Sequence, residues 1–102
     1  MIRNEKIKLF LAVSLLCLAF SMSHADVSQS KARALLQSGQ ILSLEKIHQK
    51  ANLIQPGKII ESELEKKDRH YLYEIEVLDS KGVVWELKLD AKTGQLIKIE
   101  ED

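Results

Sequence analysis

Residues 71–99, YLYEIEVLDSKGVVWELKLDAKTGQLIKI, decide the fold. Tyr71, Tyr73, Ile75 and Val77 alternate with Glu74 and Glu76, then Val83, Trp85, Leu87 and Leu89 alternate with Glu86, Lys88 and Asp90, and Ile97 and Ile99 follow. A two-residue period sends successive side chains to opposite faces of a strand. These strands therefore make an antiparallel sheet with one apolar and one charged face. The turns Asp79-Ser80-Lys81-Gly82 and Ala91-Lys92-Thr93-Gly94 join them, each with glycine where a positive φ is expected. An apolar sheet face has to be covered by a second layer, and the upstream chain supplies it.

Immediately upstream, residues 58–66 read as a further strand, with Ile60 and Leu64 inward and Glu61, Glu63 and Glu65 outward. Lys66-Lys67-Asp68-Arg69 closes this hairpin without a glycine, so its turn is expected to be longer and more mobile than the others. Before it, Pro56-Gly57 ends a helix and redirects the chain. That helix starts at Ser43 as N-cap and runs from Leu44 to about Leu53. Leu44, Ile47, Ala51 and Ile54 form one stripe at intervals of three and four, while Glu45, Lys46, Gln49 and Lys50 face water. A shorter helix from about Gln29 to Ser38 precedes it, with Asp26 or Ser28 as N-cap, Ala32, Leu35 and Leu36 on one side, and Gly39 as the stop. A helix this short must dock through its leucines to persist. The fold class is α+β, a two-layer sandwich with a four-stranded antiparallel sheet and helices packed on one face.

The N-terminus has the composition of a cleavable secretory signal. Arg3, Lys6 and Lys8 form a basic start, Leu9 to Phe20 is almost wholly apolar, and Ser23-His24-Ala25 places small residues at the cleavage positions. The apolar run, about 12 residues, falls short of the roughly 20 that cross a bilayer. Leu16 before Cys17 argues against lipid attachment, which requires a small residue there. Cleavage after Ala25 removes the single cysteine, so no disulfide or thiolate ligand is expected. The chain then divides into a signal over residues 1–25, an accessory helix and linker over 26–43, and the main domain over 44–102. The whole sequence is electrically balanced at 15 Lys and Arg against 15 Asp and Glu, and loss of the basic start leaves a slight negative excess. That excludes nucleic acid as a bulk-charge partner. Once the signal is cleaved no permanent membrane span is expected, an uncleaved anchor being the alternative, and export without cysteine suits a bacterial periplasm, with release outside the cell as the alternative.

These motifs together resemble the PepSY domain. The residues that carry the likeness are the helix with Ile47 and Ala51, the Pro56-Gly57 break, Tyr73-Glu74-Ile75, Gly82, Trp85-Glu86, and above all Leu89-Asp90-Ala91-Lys92-Thr93-Gly94. The likeness covers about Leu44 to Ile99 and leaves Gln29 to Ser38 outside. It implies a binding module that holds or restrains peptidases, with no chemistry or cofactor of its own. A peptidase, or the outer domain of an envelope sensor, would be met in trans.

Residues with chemical potential are few. His48 and His70 lack metal-binding spacing, and neither a glycine-rich phosphate loop nor a Gly-x-Ser-x-Gly nucleophile turn is present. No catalytic, cofactor or metal residues are expected, and a hydrolase is the least favoured class. Glu61, Glu63, Glu65, Glu74, Glu76 and Glu86 share the outer face and are the candidate partner-binding residues. Oxygen-rich clusters also hold calcium or magnesium, so cation or small-ligand binding is the alternative. Trp85 with Tyr71 and Tyr73 reads as core by the alternation. The open edges of the sheet can add an extended peptide, the Glu-rich first strand among them.

Overall fold

A computed structural model of the protein describes residues 25–102. The expected signal segment, with Cys17, lies outside the described residues apart from Ala25. The elements run β1 (Ala25–Asp26), α1 (Gln29–Gln37), α2 (Leu44–Ile54), β2 (Lys58–Lys67), β3 (His70–Leu78), β4 (Val84–Asp90) and β5 (Leu96–Glu101). The strands lie side by side in chain order, and each pairs antiparallel with the next. The four long strands are those read from the alternation; β1 is a two-residue addition on the outer edge of β2, opposite Glu65 and Lys66.

Both helices are capped as serine at N-cap dictates. Ser28 Oγ accepts from the Lys31 amide and Ser43 Oγ from the Lys46 amide, each at 3.3 Å. After α1, the amide of Gly39 donates to the Leu36 carbonyl (3.1 Å) and that of Gln40 to the Leu35 carbonyl (2.9 Å). This paired closure needs a left-handed residue just past the cap, and Gly39 supplies it at φ +74°.

Ile47 and Ala51 of α2 press onto Ile75, Val77, Leu87 and Leu89 of the sheet, all fully buried. Leu44 and Ile54, at the ends of the expected stripe, remain largely exposed. Leu35 of α1 and Ile41 of the linker join the same cluster, whereas Leu36 turns to solvent. Tyr73 closes the core beneath the linker, its hydroxyl donating to the Leu42 carbonyl at 2.8 Å. Trp85 packs at the rim of the core, half-buried, and its indole N–H donates to Asp79 Oδ2 at 2.9 Å.

Three local expectations need correction. Ile60 does not point inward. A bulge between Ile59 and Glu61 gives the inward place opposite Val77 to Ile59 and leaves Ile60 46% exposed. A second bulge, between Lys88 and Leu89, extrudes Ile97, which is 54% exposed, while Leu96 takes the inward position opposite Leu89. The glycine-free hairpin is short: Lys67 pairs with His70, and Asp68 and Arg69 alone make the turn. Asp68 adopts φ +57°, a conformation that aspartate tolerates better than most residues.

Candidate functional site

Among the described residues no other element covers the outer face of the sheet. Register brings its charges together: Glu61 lies opposite Glu76, Glu63 opposite Glu74, Glu76 opposite Glu86, and Glu86 opposite Glu100. Like charges directly opposite each other on neighbouring strands destabilise a sheet. Glu61, Glu63, Glu74 and Glu76 line a shallow depression of 190 Å³. The expected partner-binding glutamates are thus on one surface, with Glu65 next to Glu74 and Glu86 on the far side of β3. Lys88, opposite both Glu74 and Lys98, interrupts the field, and Lys98 is engaged by Glu100 at 3.3 Å.

The crowding raises several carboxyls above their ordinary range. For Glu63 the hydrogen bond with Glu61 is the largest cause, followed by partial burial and the charges of Glu61, Asp26 and Glu74. Glu74 is raised first by its hydrogen bond with Glu65 and then by burial, against the lowering influence of Glu86 and Lys88. Burial leads for Glu76, with Glu61, Asp102 and Glu86 adding to it. Glu86 is raised first by its hydrogen bond with Glu74. A hydrogen bond between two carboxyls requires a proton on one of them, so this face retains protons more readily than isolated glutamates do. Two sets of carboxylates, Asp26 with Glu63 and Glu65, and Glu76 with Glu86 and Asp102, bring oxygens within 4.8 Å of one another. Both offer side-chain oxygens only, whereas calcium sites take six to eight ligands and draw on loop carbonyls.

The remaining motif residues hold the frame. Asp79 Oδ1 accepts from the amides of Lys81 (2.8 Å) and Val83 (2.9 Å). Its carboxyl is held below the ordinary range, first by the Trp85 indole and next by the Val83 amide. Asp90 repeats the device in the next turn, accepting from the amides of Lys92 (2.8 Å) and Thr93 (2.9 Å). Its carboxyl is lowered first by the Thr93 amide, with the Lys92 amide and His70 among the further causes. Thr93 Oγ1 accepts from the Gln95 amide at 3.2 Å, and buried Gly94, at φ +77°, lies under the aliphatic chain of Lys50. After Pro56, Gly57 comes so close to β3 that a Cβ there would strike the Leu78 carbonyl and lie 2.9 Å from Val77 Cγ1.

One polar pair escaped the sequence reading. His48 Nε2 lies 2.7 Å from Ser62 Oγ, joining α2 to β2 at the helix–sheet seam. A hydroxyl within reach of an imidazole is the first half of a nucleophile–base pair. Among the described residues no carboxylate bonds the other ring nitrogen, and Ser62 sits on the inner face opposite Ile75. The pair therefore pins α2 to the sheet. Fourteen positions separate the two residues in the sequence, and the only cue was that Ser62 occupies an inward position among glutamates.

The family model described as peptidase propeptide and YPEB domain, PepSY, matches residues 27–100. The match takes in α1, which the motif likeness had placed outside, in keeping with the burial of Leu35 in the common core. No curated protein and no solved structure matches the chain. PepSY domains are generally non-catalytic, propeptide-like or regulatory, and typical of exported proteins. Among the described residues no helix is long and apolar enough to cross a membrane.

Proposed function

Because this chain belongs to the PepSY family, we propose that it is an exported, non-catalytic module that binds a polypeptide partner through the acidic outer face of its sheet. The observation that carries the reading is the register of that face, in which glutamate opposes glutamate across β2, β3, β4 and β5. Such pairs cost the free protein stability, and cationic side chains of a partner would relieve the cost on binding. The partner is a peptidase or the outer domain of an envelope sensor, met in the periplasm after removal of residues 1–25. The edge of β2 from Lys58 to Glu63 lies beyond the reach of β1 and leaves room for an extended segment beside the same glutamates.

The test is affinity capture from envelope extract with the wild type and with a variant carrying Glu61→Gln, Glu63→Gln, Glu74→Gln and Glu76→Gln. A protein retained by the wild type and lost with the variant supports the reading. Equal retention by both, or by neither, counts against it. The two carboxylate sets with oxygens within 4.8 Å favour a second reading, cation binding on the same face. It requires calcium or magnesium to raise the melting temperature by ordinary binding linkage. A calorimetric titration without heat at millimolar ion would dispose of it.

A further inference from the structure

Where the β2–β3 and β4–β5 turns meet, Lys66, Lys67, Arg69 and Lys92 outnumber Asp68 and Asp90. Gln40, Arg69, His70, Tyr71, Asp90 and Lys92 surround a depression of 380 Å³ at this end of the sheet. Lys66 holds its ammonium 5.9 Å from the centre of the Tyr71 ring, adding a further positive charge at the rim. Asp90 is the one carboxylate in that lining, and its Oδ1 is already engaged by the amides of Lys92 and Thr93. Among the described residues the one ion pair is Lys98 with Glu100, so Arg69 and Lys92 hold their charges without an anionic partner.

His70 and Asp90, together with Lys67 and Asp68, also line a second depression, of 330 Å³, on the outer side of the same end. Its floor is apolar. Leu72 occupies an outward position where Glu74 and Glu76 follow on the same strand, and it is nearly buried. Ile97, extruded by the β4–β5 bulge, stands beside it. A cationic pocket and an apolar pocket thus share a wall. A carboxylate is recognised by guanidinium and ammonium donors, and the apolar floor beyond the shared His70–Asp90 wall suits a hydrocarbon side chain.

We propose that this end of the sheet binds the C-terminus of a polypeptide whose last residue is apolar. The terminal carboxylate lies between Arg69 and Lys92, and the last side chain rests on Leu72 and Ile97. Capture of a C-terminal carboxylate by backbone donors is an established mode of peptide recognition, and here the donors are the side chains of Arg69 and Lys92. The inference does not rest on the acidic-face reading, since it uses none of the glutamates assigned there and a carboxylate is repelled by them.

The experiment is an NMR titration of the 15N-labelled protein, as processed by the cell that expresses it, with acetyl-Gly-Ala-Leu as the free acid, with the same peptide as its amide, and with sodium acetate. The expected result is movement of the His70, Leu72, Lys92 and Ile97 amide signals with the free acid, and binding of the amide and of acetate at least about tenfold weaker. Arg69→Ala combined with Lys92→Ala should weaken the free acid at least about tenfold without lowering the melting temperature. Ile97→Ser should weaken it, whereas Glu74→Gln should not. Equal binding of the acid and the amide, acetate binding as tightly as the peptide, or no movement at millimolar peptide would each overturn the proposal.

Discussion

Replacing Glu76 with glutamine should make the protein more stable at neutral pH. Glu76 is opposed by Glu61 on one side and by Glu86 on the other, and Asp102 adds a third negative charge nearby. Cross-strand charge pairs are worth about 0.2–1 kcal/mol each, and solvent screening on a half-exposed face keeps the total at about 0.5–1 kcal/mol. For a domain of this size that is a rise in melting temperature of about 2–8 °C. The pH dependence follows from the direction of each shift. Glu63, Glu74, Glu76 and Glu86 are raised above 4.5, so the folded protein holds these protons more tightly than the unfolded chain does. Stability is therefore lost as pH rises from about the unfolded value through the folded ones. Asp79 and Asp90 are lowered from 3.8, and their contribution, present above that value, disappears as pH falls through the folded values. Stability should peak near pH 4 rather than at neutrality, and the advantage of Glu76→Gln should shrink there and in molar salt. Thermal unfolding followed by circular dichroism at pH 4 and pH 7 reads all of this. A variant no more stable than wild type at pH 7, or a wild type that gains stability from pH 4 to pH 7, would refute the reasoning.

Three further substitutions probe the frame. Ile47→Ala, at the centre of the helix–sheet contact, should cost about 2–5 kcal/mol in equilibrium denaturation, and a loss below about 1 kcal/mol would contradict the packing. Gly57→Ala forces a Cβ onto the Leu78 carbonyl and should cost about 1–3 kcal/mol by urea denaturation; an unchanged midpoint would mean the close approach does not exist. A double-mutant cycle of His48→Ala and Ser62→Ala should give a coupling of about 0.5–1.5 kcal/mol. Additive losses would show that the 2.7 Å contact does not hold α2 to the sheet.

The layers and the acidic face were legible because they rest on periodicity. Ile47 with Ala51 on the helix, and Ile75 with Leu87 on the strands, obey the 3.6 and 2 repeats and are all buried. The bulges were not legible. In Ile59-Ile60 both residues are apolar, so alternation alone cannot say which one is the extra residue, and the bulge reverses the choice. The same holds for Leu96-Ile97. The tight turn at Asp68 was missed because its positive φ falls on a residue that permits it without requiring it. The glutamates could be placed on one face from the sequence, but their like-charge opposition depends on strand register. Register across β2 and β3 is displaced by the bulge at Ile59. The cationic end of the sheet unites residues of two turns and the linker, and no local pattern joins them.

The most direct test of the acidic face as a binding surface is photo-cross-linking in the exporting cell. A photoreactive side chain at position 63 is compared with one at position 53, where Leu53 is 85% exposed on α2 and away from the proposed surface. The expected result is a discrete protein adduct at position 63 that is absent at position 53 and disappears when Glu74→Lys is added. Adducts of equal yield at both positions, or none at position 63, would contradict it.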